Sequence, residues 1–506
     1  MGPLEGLAYG FTVALTPTNL LACFFGVLVG TIVGVLPGIS PVGAMALLLP
    51  STFALHPATA LIMLSGIYYG EMYGGSTTAI LVNVPGEAGS IVTLMEGYQL
   101  TRKGRAGAAL CVAAVGSFIA GSIGVVGIML AAAWLADVAI KFGPPEYFAI
   151  ALGGLLLLSR LSGGSVVHSF VMVAIGLALG TVGMDTVSAL RRFTFGSVAL
   201  SQGVDLVPVI MGLYGVAEVL LLAEQGIAKA RVITVRLKEL LPTSEEWRRA
   251  WAPIGRGSVV GFVTGLIPGP AAVLSTFIAY NIEKKVSRTP ERFGHGAIEG
   301  VAAPESANNA ATAGAMVPLL SLGIPFSPAT AILLGALVIH GLQPGPLMIV
   351  QRPEVFWGFV ASMYIGNLIL LVLNLPLVGL FVSVLRLPQH VLATLVLLLC
   401  LVGAFSLSNS HLDLWILVVF GVFGYALRKL RVDASPLVVA LVLGPMMEKT
   451  LRQSLFIAQG SVVDLVTRPL TFAILLIPVL ALVVPPLLRL RRRPRPAAAP
   501  IASSPR

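Results

Sequence analysis

The stretch GVLVGTIVGVLPG (Gly26–Gly38) has glycine at every fourth position and ends in a Pro-Gly pair. A second copy, GSVVGFVTGLIPG (Gly257–Gly269), lies 231 residues further along the chain with the same spacing. In an apolar helix this spacing leaves one bare face, on which another helix backbone can approach closely within a membrane. The two pairs, Pro37-Gly38 and Pro268-Gly269, predict that each helix ends or breaks there.

The composition points to a membrane protein. The chain has 506 residues, of which 57% are hydrophobic and only 11% are charged, and its mean hydropathy is +0.94. A soluble protein of this size carries about 25% charged residues. The sequence therefore predicts an all-α polytopic membrane protein of about twelve transmembrane helices with re-entrant or broken helices.

The net charge of +10 does not indicate nucleic-acid binding, because the basic residues gather in short loops between apolar runs, as in cytoplasmic loops. The three isolated cysteines predict buried small side chains and no disulfide framework. The N-terminus MGPLEGLAYGFT lacks a basic region and a cleavage site, so no removable signal peptide is expected.

Charge predicts opposite orientations for the two glycine repeats. The loop after the first repeat, from Ser51, has no lysine or arginine, whereas the corresponding loop after the second, residues 283–296, has four. If basic residues stay in the cytoplasm, the repeats cross the membrane in opposite senses. The predicted organisation is a first half (1–228), a cytoplasmic linker (229–256), an inverted second half (257–488) and a disordered basic tail (489–506).

A second repeated pattern follows each glycine repeat. EMYGGSTTAILVNVPGEAGS begins at Glu71, and ESANNAATAGAMVPLLSLGIPFSPAT begins at Glu305. Glu71 aligns with Glu305, the Gly-Gly pair with Asn-Asn, and Thr78 with Thr312. Each copy then reaches a proline, Pro85 or Pro325, which should break the helix.

Interrupted apolar segments at matching places in two halves are a pointer to the substrate site of a secondary transporter. Hydroxyls, amides and free helix N-termini suit a carboxylate, whereas carbonyl ends suit a sodium ion. The predicted substrate-binding residues are Ser40, Gly74, Gly75, Ser76, Thr77, Thr78, Asn83, Asn308, Asn309 and Thr312. The predicted cation-binding residues are Pro37, Gly38, Pro268, Gly269, Ser321 and Gly323.

Glu71 and Glu305 are the candidates for coupling, since an acid at membrane depth can titrate or hold a cation. Alternatively, both mark helix ends at the interface, and the small polar residues only pack helices together. Glu87 and Glu96 have the character of loop residues. The sequence has no ATP-binding G-x-x-x-x-G-K-[ST] loop and no HExxH, so neither an ATP-driven pump nor an enzyme is predicted, and no cofactor or transition metal is expected.

Several motifs resemble the large membrane subunit of tripartite tricarboxylate transporters, the TctA type. They extend from about residue 15 to residue 485 and are YGGSTTAILVNVPG, APESANNAATAG, LGIP (Leu322–Pro325), HGLQPGP (His340–Pro346), FWGFVASMYIGN (Phe356–Asn367), LGPMMEKTLRQSL (Leu443–Leu455), and TVGMD (Thr181–Asp185) with RRFTFG (Arg191–Gly196). The resemblance outweighs a reading of TVGMD as a potassium-channel filter. Phe326 departs from the family, in which a small residue is expected after the LGIP proline.

The resemblance implies a bacterial inner-membrane symporter subunit with elevator-type motion and no ATP use. Its implied partners are a small membrane subunit (TctB-like), a periplasmic solute-binding protein (TctC-like) and membrane lipid. It implies uptake of citrate or other di- and tricarboxylates coupled to sodium, or to a proton. A carboxylate or ion channel and an uncoupled small-solute permease are the alternatives, and the sequence leaves homo-oligomers open.

Overall fold

The computed structural model of the chain describes residues 2–36, 40–139, 141–161, 165–185, 188–225, 239–342, 344–384 and 389–491. These residues are mainly helical, as the sequence predicts. The helices are α1 (Pro3–Ala14), α2 (Pro17–Val35), α3 (Pro41–Leu48), α4 (Pro57–Val82), α5 (Ile91–Arg102), α6 (Ala106–Ala139), α7 (Pro144–Leu161), α8 (Val166–Gly180), α9 (Leu206–Ile210), α10 (Ala217–Gln225), α11 (Ser244–Gly265), α12 (Ala271–Val286), α13 (Glu299–Leu322), α14 (Pro328–Ile339), α15 (Met348–Gln351), α16 (Pro353–Asn374), α17 (Val378–Val384), α18 (Gln389–Ser408), α19 (His411–Lys429), α20 (Ser435–Ile457), α21 (Val462–Val466) and α22 (Pro469–Arg491).

Five helical segments in the described ranges are long and apolar enough to cross a membrane: Pro17–Val35, Ala106–Ala131, Leu206–Glu224, Pro353–Asn374 and His411–Lys429. Shorter apolar helices add Pro41–Thr52, Val166–Gly180, Pro328–Ile339, Ala393–Ser406 and Pro469–Val484. These segments make the chain a multi-pass membrane protein. The total of about twelve spans stays a prediction.

The first glycine repeat packs α2 against α4. A Cβ atom on Gly26, Gly30 or Gly34 would lie 2.3 to 2.4 Å from the backbone oxygens of Met63, Ile67 and Glu71, respectively. No side chain fits at such distances, so only glycine allows the two backbones to approach this closely. Because the contact positions increase together along both helices, α2 and α4 run parallel, and α3 lies between them in the chain.

The second glycine repeat packs α11 against α13 in the same way. A Cβ atom on Gly257, Gly261 or Gly265 would lie 2.1 to 2.4 Å from the backbone oxygens of Ala303, Ala307 and Ala311. These two helices also run parallel, and α12 lies between them in the chain. We call residues 17–90 the first unit and residues 244–330 the second unit, because each is built from two parallel helices joined through a glycine face.

The contacts correct the residue-by-residue alignment of the two units. Gly34 meets Glu71, whereas its counterpart Gly265 meets Ala311, so Glu71 corresponds in the fold to Ala311 and not to Glu305. The alignment from motifs is wrong by six positions. In the same register, the end of α4 in the first unit corresponds to the end of α13 in the second unit.

Both long helices end where the prolines predicted a break. The cap of α4 is Asn83, with φ 62° and ψ 32°, and the cap of α13 is Gly323, with φ 70° and ψ 25°. Left-handed caps of this kind end a helix and direct the chain away from its axis. However, the polar clusters before these ends lie within continuous helices, because α4 is unbroken and α13 continues through Pro304 and Pro318. The breaks therefore follow the polar clusters, as the order of cluster and proline in both copies predicts.

The long helices α4 and α13 run in opposite directions where they meet. Ser76 contacts Glu305, and Tyr68, eight residues earlier on α4, faces Thr312, later on α13. Helix α6 runs alongside α13, with Gly116 against Ser306 and Gly124 against Ala313. The polar faces of the two units are thereby enclosed by other helices and not by lipid.

The TVGMD and RRFTFG motifs form a small hairpin after α8. Strands β1 (Gly183–Met184) and β2 (Arg191–Arg192) pair antiparallel. Arg452 of α20 forms an ion pair with Asp185 at 3.1 Å, and Arg192 forms one with Glu448 at 2.7 Å. The hairpin is therefore attached to the end of α20.

The remaining sequence predictions have mixed outcomes. Cys23, Cys111 and Cys400 are free and buried, which confirms the expectation for these residues. Helix α11 extends through residues 244–256 of the predicted linker, and α22 continues to residue 491 of the predicted tail. Residues 226–238 and 492–506, which contain the rest of both segments, lie outside the described part, and the division into two halves stays a prediction.

Candidate functional site

A buried polar cluster lies where α4, the segment 83–90 and α13 meet. Glu305 of α13 is fully buried and accepts hydrogen bonds from the hydroxyls of Ser76 on α4 and Thr93 on α5. Buried carboxylates require such donors, since an unpaired charge inside a membrane protein is costly. Glu305 therefore does not mark a helix end at the interface. It joins the two units.

Glu87 makes the second contact between the units. Asn308 Nδ2 of α13 donates to Glu87 Oε1 at 2.8 Å, and the Glu87 carboxylate also accepts from the backbone N–H of Gly89 at 2.5 Å. Glu87 lies in a loop, as the sequence predicts, but its side chain is buried and contacts the opposite unit. The segment after α4 folds back onto the polar helix of the second unit.

Tyr68 makes the matching contact from the first unit. Its hydroxyl faces Thr312 and Ser327, and Ser327 caps α14 directly after the break at the end of α13. The segment after each long helix thus reaches the long helix of the other unit. The two predicted breaks are brought to one polar region.

Glu71 has a different environment from the other acids. It lies on α4, fully buried, and neither of its carboxylate oxygens has a hydrogen-bond partner among the described residues. The carboxyl group of Glu87 acts electrostatically on Glu71. Asn308 Oδ1 and Ser306 Oγ are also buried without a partner. The cluster therefore contains acceptor oxygens that the described protein groups do not satisfy.

A small cleft lies between α4 and α6, and Ser76 borders both the cleft and the polar cluster. It has room for about one water molecule, and its polar lining consists of Tyr73, Ser76, Thr77, Ser117 and Asn374. Pockets for small molecules usually have about 300 to 1,000 Å³. The cleft must widen before it can enclose a tricarboxylate.

Asn309 extends the cleft toward α13. Its side-chain amide donates to Ser117 Oγ at 2.7 Å and to the backbone oxygen of Glu305 at 3.1 Å. Thr312 is buried beside Tyr68, and its hydroxyl donates to the backbone oxygen of Asn308 at 3.1 Å. The structure therefore brings together Ser76, Thr77, Asn308, Asn309 and Thr312 of the predicted substrate site.

Other predicted substrate residues have packing roles. A Cβ atom on Gly74 would lie 2.3 Å from the Thr31 backbone oxygen, and one on Gly75 would lie 2.8 Å from Glu87 Cγ. Thr78 donates to the backbone oxygen of Val35 at 2.7 Å, which attaches α4 to the end of α2.

Two predicted substrate residues are helix caps. Ser40 caps α3 by accepting from the Gly43 N–H at 3.1 Å. Asn83 is an exposed left-handed cap, and the structure does not bring its side chain into the cluster.

The predicted cation-binding residues of the second unit lie near one another. The Gly269 N–H donates to the backbone oxygen of Phe326 at 3.1 Å, and Gly269 has φ 137°. The buried residue Pro268 precedes it, and Gly323 ends α13 two residues after Ser321, whose hydroxyl donates to Val317 O. Pro37 and Gly38, the matching residues of the first unit, lie outside the described residues.

Phe326, which departs from the family pattern, lies just after the end of α13, where its backbone oxygen accepts from the Gly269 N–H. Its ring lies against Gly154 of α7, where a Cβ atom would be 3.4 Å away. A bulky side chain is accommodated here because the neighbouring position is glycine.

Sequence reasoning missed four buried partners in this region: Thr93, Ser117, Glu87 and Glu96. Glu96 is fully buried and accepts from the Tyr280 hydroxyl at 2.7 Å and from the backbone N–H groups of Gly294, Gly296 and Ala297. The sequence signal that could have found Glu96 is an acid on a short helix facing the glycine-rich loop FGHGA. Thr93 and Ser117 carry no such signal.

The fold and the buried polar cluster define a multi-pass α-helical membrane protein with a polar site between two similarly built units. The tripartite tricarboxylate transporter TctA family matches residues 20–439. The chain belongs to this family. It is therefore a subunit of a tripartite tricarboxylate transporter, and the family works with TctB and TctC partners.

Two relatives come from Agrobacterium vitis. The "uncharacterized 52.8 kDa protein in TAR-I ttuC' 3'region" is 46% identical over 475 residues, which cover 94% of this chain and 94% of the relative. The "uncharacterized protein in TAR-II ttuC' 3'region" is 43% identical over 215 residues, which cover 42% of this chain and 89% of the relative. No solved structure matches the chain.

Proposed function

We propose that this chain is the membrane-embedded subunit of a secondary-active transporter that imports citrate or another di- or tricarboxylate together with sodium. A periplasmic binding protein of the TctC type delivers the substrate, and a small subunit of the TctB type completes the complex in the bacterial inner membrane. Family membership supports the substrate class and the partners. The proposal depends most on one observation: the long helices α4 and α13 are antiparallel, and their polar residues meet through Ser76 and Glu305.

The antiparallel direction of α4 and α13 supports an inverted-topology repeat, which is common in secondary transporters. In such proteins one domain moves against another, so that a single site faces each side in turn. We propose that the polar cleft next to α6 receives the carboxylate, through the hydroxyls of Ser76 and Ser117 and the amide of Asn309. Because the cleft is small, substrate entry requires α4 and α6 to separate, as an elevator-type movement would allow.

The test is uptake of radiolabelled di- and tricarboxylates by cells that express this chain with its small subunit and its binding protein. Uptake should require all three proteins and should stop when choline replaces sodium. Uptake by this chain alone, indifferent to sodium, would contradict the proposal and indicate an uncoupled permease. Electrical currents with no coupled uptake would indicate a channel.

A further inference from the structure

The polar cluster between the units contains three buried carboxyl groups, and they are not equivalent. Glu305 accepts from two hydroxyl groups. Glu87 accepts from the Asn308 amide and the Gly89 backbone N–H. Glu71 accepts from none of the described residues through either oxygen, although it is fully buried. This difference separates Glu71 from Glu305, although the sequence makes both of them candidates for coupling.

Other buried acids of the described chain all have strong donors. Glu283 pairs with Arg256 at 2.6 Å, Asp185 with Arg452 at 3.1 Å, and Glu218 with Arg428 at 3.5 Å. Glu146 accepts from the Gly143 N–H at 2.8 Å and from the Thr471 hydroxyl at 3.0 Å. Within the described ranges Glu71 is the only carboxyl group with both oxygens buried and unpartnered. An isolated buried charge is strongly unfavourable, so Glu71 is stable as a carboxylate only beside a positive partner and is otherwise protonated.

The surroundings of Glu71 supply negative charge and not positive charge. Glu87 acts electrostatically on both Glu71 and Glu305. None of the ion pairs formed by described residues includes any of these three acids. The nearby side chains of Tyr68 and Thr312 are neutral. A cation bound in the cluster would balance this excess of negative charge.

The unsatisfied atoms have the chemistry of ligands for a hard cation. Glu71 Oε1 and Oε2 and Asn308 Oδ1 are all oxygen acceptors, and all are buried. The Asn308 amide nitrogen is committed to Glu87. Hard cations such as sodium and calcium bind carboxylate and amide oxygens of this kind.

We infer that Glu71, Glu87 and the side-chain oxygen of Asn308 hold the sodium ion that is coupled to transport. Glu305 is not assigned as a ligand, because its carboxylate is bonded to Ser76 and Thr93, whereas Glu87 is bonded directly to Asn308. The inference rests on the proposed function. Two ligands belong to the first unit and one to the second, so the ion binds only while the units are in the arrangement seen here. This requirement links ion binding to the movement of one unit against the other.

The test is binding of ²²Na⁺ to the purified full-length chain in detergent, with choline as the background salt. Wild type should bind sodium saturably, and Glu71→Gln, which keeps the shape but removes the charge, should weaken the affinity by about tenfold or more. Glu146→Gln is the matched control, since it neutralises a buried carboxyl group on α7 away from the cluster, and its affinity should equal that of wild type. Excess calcium that displaces ²²Na⁺ more effectively than sodium does would overturn the choice of ion.

If Glu71→Gln does not fold, Glu71→Asp provides the second variant. It retains the carboxylate on a side chain shorter by one methylene, and its sodium affinity should fall several-fold. Wild-type affinity in either folded variant, or no saturable binding by wild type, would overturn the inference. The proposed function is tested separately by carboxylate uptake. Sodium binding at Glu71 without sodium-dependent uptake would contradict the function and leave the site standing.

Discussion

Asn308 donates a hydrogen bond to Glu87 at 2.8 Å, and the fold repeats this relationship with the two units exchanged. Ser327 lies 240 residues after Glu87, and Asn308 lies 240 residues after Tyr68. Tyr68 faces Ser327, as Asn308 faces Glu87. Glu87 and Ser327 also both begin a helical turn with a capping box. The segment after each long helix therefore contacts the long helix of the opposite unit.

The positions of two asparagines predict that a substitution at one reduces transport and a substitution at the other does not. Asn309→Ala removes the donor to Ser117 and leaves a gap beside the cleft, so uptake should fall at least tenfold while the protein still reaches the membrane. Asn83 is an exposed cap with positive φ, so Asn83→Gly should transport normally, since glycine adopts that conformation without strain. Uptake of labelled carboxylate, normalised to membrane-inserted protein, measures both. Normal uptake by Asn309→Ala would remove this residue from the site.

The glycine face of α11 predicts a position-dependent effect of one methyl group. A Cβ atom on Gly261 would lie 2.1 Å from the Ala307 backbone oxygen, so Gly261→Ala should cost about 1 to 3 kcal/mol by forcing α11 and α13 apart. Gly255 on the same helix has open space, and Gly255→Ala should be neutral or stabilising by about 0.5 to 1 kcal/mol. Thermal unfolding of the purified variants separates the two cases. Equal melting temperatures would show that the close approach is wrong.

Removing the charge of Glu96 should destabilise the protein. Its carboxylate accepts from Tyr280 and from the backbone N–H groups of residues 294, 296 and 297. Glu96→Gln replaces one acceptor oxygen by an amide that faces these donors, which should destabilise the protein by about 1 to 3 kcal/mol. Glu245→Gln, at an acid whose side chain is 62% exposed, is the control and should change little. The melting temperature in detergent checks both variants, and an unchanged value for Glu96→Gln would contradict this role.

The ion pair between Arg105 and Glu246 at the start of α11 should make the stability of the protein depend on pH. Burial tends to raise the pKa of Glu246, but hydrogen bonds from Arg105 and Thr243 outweigh burial and lower it. The stabilisation by this pair is therefore complete above the ordinary carboxyl pKa of about 4.3 and is lost as the pH falls through the lowered value. Glu246→Gln should lower the melting temperature slightly at pH 7, and the difference from wild type should shrink in acid. A difference that stays constant with pH would refute the assignment.

Periodicity and chain breaks are the parts of the fold that could be predicted from sequence. The glycine spacing identified the faces of α2 and α11, because only glycine leaves room for a second backbone. Pro85 and Pro325 located the ends of α4 and α13. The pairing of Glu71 with Glu305 was wrong, because similar letters follow each break without occupying equivalent positions on the helices.

The partners in the polar cluster could not be predicted as readily. Glu87 follows a helix end and resembles a solvated loop residue, yet the chain turns back and buries it against Asn308. Thr93 and Ser117 lie on helices that are distant in sequence from α13, and their role arises only from tertiary packing. The distinction between Glu71 and Glu305 likewise depends on which hydroxyl groups reach each carboxylate.

The most direct test of the account concerns the orientation of the two units in the membrane. Ser51 precedes α4 and Ser287 precedes α13, and these helices are antiparallel where they meet. Single cysteines at Ser51 and Ser287, in a background without the three native cysteines, should react with a membrane-impermeant maleimide from opposite faces of the membrane. The account predicts labelling of Ser51→Cys from the periplasm and of Ser287→Cys only after the membrane is permeabilised. Labelling of both positions from the same face would contradict the inverted arrangement and the shared site between the units.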